Sequence, residues 1–342
     1  MSGAQQFPRV LVVSLGGTIA MTSSGLGGIR PTLTGEQLLA AEPRLARVAE
    51  LEAVTPMNLP GASLSLQQLC GVASLLRGRL TGTPDAPVGA VVVQGTDTIE
   101  ETAFVLDLLA TQGGAPVVVT GAMRGPQAPG ADGPANLLAA VTVAADARLR
   151  GLGAVVVLND EIHAARWVQK SHTSLTSAFD SPGVGRIGLV AEGRVHLLAR
   201  PERVPALPTP HAPSLCGEEP LAAIAQVSLG LGEDGRVLDV LAGLGYAGAV
   251  IEGLGAGHVP ASCVDRLQAL AGQMPVVLCT RVRAGPVFTG TYGFPGSEMD
   301  LLARGLLAAA HLTPAKARLL LALLVSAGAG RPAVVEAFAG LG

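Results

Sequence analysis

The chain has 342 residues, which favours two domains because one hydrophobic core seldom serves so long a chain. Its formal net charge is −3 and it carries no cluster of lysine and arginine, so the basic surface of a nucleic-acid-binding protein is not predicted. The 4 cysteines lie far apart and include no Cys-x-x-Cys pair. Neither a disulfide framework nor a zinc site is therefore expected, and no metal is predicted.

The compartment is predicted from both ends of the chain. The N-terminal residues MSGAQQFPRV do not form a charged segment followed by an apolar one, so they do not resemble a secretory signal. The longest apolar run, residues 319–330, is too short to span a bilayer and follows Lys316 and Arg318. We expect a soluble, cytoplasmic protein without a membrane partner.

In the first 200 residues, short apolar runs typical of buried strands alternate with helical patterns. Strands are predicted at residues 10–15, 90–93, 117–120 and 154–158, and helices at 36–51, 66–79, 100–112 and 133–147. The third helix is predicted to begin with a capping box made by Thr98 and Glu101. Two strand patterns around Glu192-Gly193 predict a hairpin. This order predicts an α/β fold with a mainly parallel sheet between helices.

A proline-rich segment separates this part from the rest of the chain. Residues 201–220 lack hydrophobic periodicity and are predicted to be a linker. The α/β pattern then resumes, with strands predicted at 223–228, 247–251 and 275–279 and helices at 297–309, 314–326 and 331–341. We predict a larger N-terminal α/β domain at 1–200 and a smaller C-terminal α/β domain at 221–342.

Polar residues and glycines follow several predicted strands, at the sheet edge where open parallel sheets bind ligands. They form the segments SLGGT (14–18), QGTDT (94–98), TGAMR (120–124) and ND (159–160). Gly16 and Gly17 permit a close backbone approach, and their N–H groups could hold a carboxylate or an oxyanion. The alternative is an ordinary tight turn in which Thr18 caps a helix. In QGTDT, capping explains Thr98 but not Thr96.

Lys170 is the most informative single residue. Of the 23 lysine and arginine residues, only Lys170 and Lys316 are lysines. Arginine does not lose its proton in proteins, whereas a buried lysine can do so and act as a base. Lys170 is therefore a candidate base, the alternative being a surface lysine of no special role. Lys316, inside a helical pattern, fits the surface alternative better.

Together these segments resemble the two signatures of bacterial-type L-asparaginases. The signatures are matched by GGTIA (16–20) and by GTDT (95–98) followed by ETA (101–103). The family's order then continues with TGAMR (120–124), ADGP (131–134), ND (159–160), Lys170, GLG (253–255) and PAKAR (314–318). The resemblance covers nearly the whole chain. It implies the two-domain fold predicted above and a homodimer or homotetramer, with sites between the N-terminal domain of one subunit and the C-terminal domain of its partner.

The resemblance also implies roles for individual residues. Thr18 corresponds to the nucleophile, which becomes acylated as ammonia leaves and is then freed by water. Thr96, Asp97 and Lys170 resemble the supporting group, in which the lysine is a base or proton relay towards Thr96 and Asp97 binds the substrate's α-amino group. The implied substrate is a small amino acid, L-asparagine before L-glutamine, and no cofactor is implied. The residues expected to line the substrate are Gly17, Gly61, Ala62, Ser63, Gly95 and Ala122.

This chain departs from the family pattern at several positions. The loop at 21–34 lacks the usual tyrosine, and Gly61 occupies the place of a serine that helps to bind the substrate carboxylate, a role that Ser63 could take over. The other departures are Gln94 for histidine, Leu15 for threonine, and Ala256 for a polar residue that reaches the neighbouring subunit's site, with His258 two residues on.

Two functions stay open on these grounds. One is an active amidohydrolase with a remodelled loop, and the other is a weakly active or non-catalytic amino-acid-binding protein. Related subunits that supply ammonia for transfer to charged tRNA usually carry an extra N-terminal domain, so a first signature within the first 20 residues argues against them. His163 and His172 are alternative bases, unless they are merely hydrogen-bonded or solvated.

Overall fold

The computed structural model describes residues 7–23, 29–81, 85–203, 215, 217 and 219–341. The chain divides into two compact units, Met1–Ala206 and Leu207–Gly342, called here the N-terminal and C-terminal units. An eight-stranded sheet lies in the first unit and a four-stranded sheet in the second. Both sheets are mainly or wholly parallel and both units contain helices that pack on them, so the predicted fold class is confirmed.

Among its described residues, the N-terminal unit contains short strands, four α-helices and several 3₁₀ turns. Its strands are β1 (Arg9–Ser14), β2 (Met21–Ser23), β3 (Ile29–Pro31), β4 (Glu50–Val54), β5 (Gly89–Val93), β6 (Val117–Thr120), β7 (Ala154–Leu158), β8 (Glu161–Ala164), β9 (Gln169–Lys170), β10 (Phe179–Asp180), β11 (Gly188–Ala191) and β12 (Arg194–Leu197). Its α-helices among the described residues are α1 (Gly35–Ala40), α2 (Leu66–Leu80), α3 (Ile99–Ala110) and α4 (Gly133–Ala145).

The C-terminal unit has a smaller set of elements. Its strands are β13 (Ile224–Ser228), β14 (Gly248–Gly253), β15 (Val276–Thr280) and β16 (Leu307–Ala308). Its described α-helices are α5 (Val264–Ala271), α6 (Glu298–Ala303), α7 (Pro314–Ser326) and α8 (Arg331–Ala339). The strands follow one another in the sheet in chain order, and every neighbouring pair is parallel.

The order of the large sheet creates a crevice beside β1. The order is β12-β11-β8-β7-β6-β5-β1-β4, and the five neighbouring strands β7, β6, β5, β1 and β4 are parallel. From β1 the chain first moves outward to β4 and then returns to β5 on the other side of β1. Ligands of open α/β sheets bind at such a reversal, outside the carboxyl ends of the strands. We therefore expect a ligand site among the residues that follow β1 and β5.

The sheet is buried because its central strands are apolar on both faces. Val10, Val12, Val91, Val118 and other residues of one face pack in a single cluster with apolar residues of α4. Helices α2 and α3 pack on each other, and α3 lies against β6 and β7. A strand without a polar face can be stable only between two such layers. The valine runs therefore dictate a sandwiched sheet, as predicted.

The predicted helix at 36–51 is confirmed only at its start, and its second half is wrong. The structure has α1, a 3₁₀ turn at Pro43–Arg47, and then the edge strand β4, which pairs with β1. Pro43 cannot donate a hydrogen bond to a preceding turn and so stops α1 from continuing. The capping box of this region is made by Thr34 and Gln37. Local patterns indicate this strand poorly because its residues are at most half-buried and only Glu50-Leu51-Glu52-Ala53 alternate between polar and apolar.

Two further regions differ in detail. The predicted helix at 297–309 ends after α6 at Ala303, and Gly305, with a φ of 98°, leads the chain into β16. The hairpin around Glu192-Gly193 is confirmed as β11 and β12, with both turn residues at positive φ. Most of the predicted linker at 201–220 lies outside the described residues.

Lys316 is fully buried, so its prediction as a surface lysine is wrong. It lies near the start of α7 with 0% of its surface exposed, and α7 packs against β13, β14 and β15. A lysine is almost never placed this way unless its amine is paired. Burial makes it part of the packing between α7 and the small sheet.

Asp107 is a buried acid in α3. Its Oδ1 accepts the backbone N–H of Ala154 at 2.7 Å, at the start of β7. Burial raises the pKa of Asp107 to about 6, and the charge of Arg203 opposes that rise. The native state therefore holds this proton more tightly than the unfolded chain does. Stability contributed by the protonated form is present at about pH 4 and is lost as the pH rises through 6.

We expect Asp107→Asn to remove this pH dependence. The amide oxygen can still accept from Ala154, but the side chain no longer has to be buried as an anion. Between pH 4 and 7 the free energy of unfolding of the wild type should fall by about 2 kcal/mol relative to that of the variant. Urea denaturation of both proteins at four pH values checks this. Parallel pH profiles would show that Asp107 keeps an ordinary pKa.

Candidate active site

Thr18 and Thr96 follow the two strands on either side of the reversal in the sheet. The last residues of β1 and β5, Ser14 and Val93, lie opposite each other, and the backbone N–H of Leu15 donates to the carbonyl of Val93 at 2.8 Å. Each strand leads directly into a 3₁₀ turn, at Thr18–Ala20 after β1 and at Thr96–Thr98 after β5. The two turns therefore begin at the same edge of the sheet.

Gly17 brings these two turns into backbone contact. Its φ of 85° and ψ of −177° are essentially restricted to glycine. A Cβ atom at this position would overlap the backbone of Gly95. The glycine is therefore required both for the backbone conformation and for the contact. As a consequence, Thr18, which is partly exposed, is held next to the turn that carries Thr96 and Asp97.

A third glycine joins the same contact. A Cβ atom on Gly61 would lie 2.8 Å from the carbonyl oxygen of Gly95, and one on Gly95 would lie 2.7 Å from the backbone nitrogen of Gly61. Gly61 begins a 3₁₀ turn, Gly61–Ser63, in which Ala62 and Ser63 are exposed. We call Gly17, Gly61 and Gly95 the glycine junction. The serine that the family pattern expects at 61 would require this backbone to move apart.

Lys170 reaches the second turn from β9. Its Nζ donates to Thr96 Oγ1 at 2.9 Å and lies 3.6 Å from Asp97 Oδ1. Thr96 is 6% exposed, whereas the side chains of Lys170 and Asp97 are 21% and 57% exposed. The amine is thus anchored to a buried hydroxyl, while the carboxylate faces outward. An outward carboxylate beside a glycine-lined surface is able to bind a cationic group of a ligand.

Thr98 does not cap α3 with its side chain, so the predicted capping box is wrong. Its hydroxyl donates instead to the carbonyl of Gly61 at 3.0 Å, and it accepts from Gln94 Nε2 at 3.1 Å. Gln94 is fully buried. This chain of hydrogen bonds ties the turn at 61–63 to the start of α3. Thr98 and Gly61 are 37 residues apart in the chain, so no local pattern predicts this contact.

We expect the Thr98 hydroxyl to hold the turn at 61–63 in position. Thr98→Val keeps the side-chain shape but removes two hydrogen bonds, each worth about 0.5–1.5 kcal/mol. The Gly61 carbonyl then keeps only the N–H of Leu64, and Gln94 Nε2 keeps only the carbonyl of Gly95. If the turn binds substrate, KM should rise about 10-fold or more while kcat changes little. Thr102→Val is the matched control, since this hydroxyl lies one turn further along α3, fully buried and without a hydrogen-bond partner in the described residues. Equal KM values for the two variants would contradict the role of Thr98.

Ala122 lies in a loop that adjoins Thr96 and is held by side-chain hydrogen bonds. Asp132 accepts the backbone N–H groups of Met123 at 3.0 Å and Arg124 at 2.9 Å, and Asn136 donates to the carbonyl of Gly121 at 3.0 Å. A Cβ atom on Gly121 would lie 3.3 Å from Thr96 Cγ2. The structure thus brings this loop to the site, although Ala122 itself is only 1% exposed. The segments at 131–134 and 159–160 take part in these hydrogen bonds, since Asp132 belongs to the first and Asn136 Oδ1 also accepts the N–H of Asn159 at 3.0 Å.

The two candidate histidines have other partners. His163 is buried, with Nδ1 2.9 Å from Ser181 Oγ and Nε2 3.3 Å from Glu161, and its burial lowers its pKa. His172 Nδ1 accepts the backbone N–H groups of Ser174 at 3.0 Å and Leu175 at 3.1 Å, which closes an exposed turn. Both histidines are thereby engaged in hydrogen bonds, His163 with Ser181 and Glu161 and His172 with its own turn.

In the C-terminal unit, His258 belongs to an aromatic cluster. Its Nε2 lies 3.1 Å from Glu298 Oε2, and its ring packs edge-on against Tyr292 and Phe294. Glu298 is fully buried and accepts the backbone N–H groups of Thr291 at 2.9 Å and Tyr292 at 2.7 Å. Ala256, where the family pattern often has a polar residue, is partly buried.

The described residues contain no group of three or more histidine, cysteine, aspartate or glutamate side chains that could hold a metal ion. Cys70, Cys263 and Cys279 are buried, and none of these described cysteines forms a disulfide. Within the described parts of the chain, no helix has both the length and the apolar character needed to cross a membrane.

Comparison with known proteins shows which family the chain belongs to. The family model described as Asparaginase, N-terminal, matches residues 9–203, and the one described as Glutaminase/Asparaginase C-terminal domain matches 223–338. The chain is 37% identical to a probable L-asparaginase of Deinococcus radiodurans, with 97% of each chain covered. It is 33% identical to an L-asparaginase of Bacillus licheniformis, covering 93% of this chain and 95% of the relative. It is 32% identical to a probable periplasmic L-asparaginase of Haemophilus influenzae, covering 95% and 91%. The chain belongs to the asparaginase family.

Proposed function

We propose that this protein is an amidohydrolase that converts L-asparagine into L-aspartate and ammonia, with the hydroxyl of Thr18 as nucleophile. The observation that carries the proposal is the contact of Gly17 with Gly95. It sets Thr18 beside the turn that holds Thr96, to which Lys170 is hydrogen-bonded. The names of the relatives agree with this substrate. L-Glutamine is a slower alternative, since one methylene is discriminated by only about 1–3 kcal/mol.

The first step forms an ester on Thr18. Its Oγ attacks the carbonyl carbon of the substrate's side-chain amide, and its proton passes by way of Thr96 to the amine of Lys170, which acts as the base. The tetrahedral intermediate then expels the amide nitrogen, which takes up that proton and leaves as ammonia. Backbone N–H groups of the glycine junction are suited to stabilise the oxyanion, an effect worth about 3–4 kcal/mol.

The second step hydrolyses the ester. A water molecule gives a proton to the pair formed by Lys170 and Thr96 as its oxygen attacks the acyl carbon. The bond to Thr18 Oγ breaks, and Oγ recovers a proton from the same pair. Free aspartate is released and the site returns to its starting state. The 2.9 Å hydrogen bond between Lys170 and Thr96 supports this shared role.

The remaining residues of the site are proposed to hold the substrate's α-carbon groups. The exposed carboxylate of Asp97 binds the α-ammonium group. The exposed turn of Ala62 and Ser63 binds the α-carboxylate, in the place of the family serine that Gly61 replaces. Gly17, Gly95 and the buried Ala122 lie behind the surface against which the amide packs. Asp97 thus contributes binding, while Lys170 contributes proton transfer.

The assembly, the domain division and the compartment are proposals that rest mainly on the family. We propose a homodimer or homotetramer with sites near subunit interfaces, in the cytoplasm. We also propose domains at 1–200 and 221–342 joined by a linker at 201–220; the two matched family models, which end at 203 and begin at 223, support that division. Light scattering of the purified protein tests the assembly.

The function is tested by ammonia release from L-asparagine, measured with purified protein alongside D-asparagine as control. Acid quenching during turnover followed by intact mass measurement should show one aspartyl group added, and peptide mapping should place it on Thr18. Binding of L-asparagine without ammonia release would overturn the proposal in favour of an amino-acid-binding protein. An aspartyl group on another residue would overturn the assignment of Thr18.

A further inference from the structure

Lys170 stands on a very short strand. Strand β9 has 2 residues and pairs with β10, which also has 2, so that Lys170 lies opposite Phe179. The next residue, Ser171, donates its N–H to the carbonyl of Ala178 at 2.6 Å. A ribbon of this length has little stability of its own. The position of the Lys170 backbone therefore needs another anchor.

That anchor is the carboxylate of Glu100. Glu100 Oε2 accepts the backbone N–H of Lys170 at 2.6 Å, across 70 residues of sequence. Short hydrogen bonds from N–H groups to carboxylate oxygens are among the stronger ones in proteins. Glu100 lies in the first turn of α3, directly after the 3₁₀ turn that carries Thr96 and Asp97. One carboxylate thus joins the Lys170 backbone to the segment that its amine must reach.

Lys170 is consequently held at both ends by one segment. Its backbone N–H is bound to Glu100, and its Nζ is bound to Thr96. The four rotatable bonds of its side chain allow many conformers. Fixing the backbone therefore limits the distance that Nζ can move away from the Thr96 hydroxyl. A displacement of about 1 Å in a reacting group costs on the order of 100-fold in rate.

We propose that Glu100 is a positioning residue for the reaction, which holds the backbone of Lys170 so that its amine stays on Thr96. This inference rests on the proposed function. Its structural alternative is that Glu100 only stabilises the N-terminus of α3 through its negative charge. The two roles make different demands on the side chain. Positioning needs an oxygen acceptor, whereas interaction with the helix dipole needs the charge.

Glu100→Gln and Glu100→Ala separate these roles. Glutamine keeps an acceptor oxygen and loses the charge, while alanine loses both. We expect Glu100→Ala to lower kcat for L-asparagine about 10- to 100-fold with KM changed less than about 3-fold, and Glu100→Gln to retain most of kcat. Equal losses in the two variants would overturn the proposal, because they would follow the charge and not the acceptor.

A double-variant cycle shows whether Glu100 acts through Lys170. In a Lys170→Met background, Glu100→Ala should lower the residual kcat no further, whereas an undiminished loss would contradict a role exerted through the lysine. Thermal unfolding of every variant distinguishes lost activity from lost fold.

A readout independent of turnover keeps the inference separate from the proposed function. If the wild type releases no ammonia, the proposed function fails. Crystal structures of Glu100→Ala and Glu100→Gln still test positioning. The distance from Lys170 Nζ to Thr96 Oγ1 should lengthen beyond hydrogen-bonding range in the alanine variant and stay near 2.9 Å in the glutamine variant. An unchanged distance in the alanine variant would overturn the inference.

Discussion

Thr18→Ala is expected to lower kcat for L-asparagine by about 10⁴-fold or more, because the proposed ester has no oxygen on which to form. The alanine fits the partly exposed position without crowding, so fold and substrate binding should persist. Calorimetry with L-aspartate should give a dissociation constant within a few-fold of the wild type. The acid-quenched variant should carry no aspartyl group.

Thr18→Ser is the matched control for the nucleophile. It keeps the hydroxyl and loses only a methyl group, so measurable turnover and the covalent adduct should return, now on the serine. Turnover of the alanine variant within 100-fold of the wild type would contradict the nucleophile assignment. That result would indicate that a water molecule attacks the amide directly.

Lys170→Arg is expected to lower kcat by about 10²- to 10⁴-fold, the usual range for loss of a positioned acid or base. Arginine retains the positive charge beside Asp97 but does not become neutral in proteins, so it cannot accept a proton from Thr96. Its planar guanidinium also differs in shape from the amine that donates to Thr96 at 2.9 Å.

Lys170→Met completes this comparison, since it keeps the length of the side chain without the charge. If proton transfer is the role of the lysine, both variants should lose kcat to a similar degree. If the role is only electrostatic, arginine should retain activity and methionine should not. Circular dichroism and thermal unfolding establish that each variant is folded, and initial rates of ammonia release measure kcat and KM.

Much of the fold follows from local patterns. The valine runs at β5, β6 and β7 have no polar face, so they indicate buried strands whatever their neighbours are. Helix α7 matched its predicted bounds, because Pro314 and Thr313 mark its start. By contrast, the edge strand β4 and the short β16 depend on pairing with β1 and β15. Such pairing is decided by distant residues, and local patterns do not report it.

The sequence by itself determined the α/β class, the two sheets, and which residue types follow β1 and β5. It also indicated Lys170, through the rarity of lysine in a chain rich in arginine. Only the tertiary structure decided that Gly17, Gly61 and Gly95 meet, and that Thr98 binds Gly61 instead of capping α3. It also decided that Glu100 anchors Lys170. These contacts join residues tens of positions apart, and strand order and register bring them together.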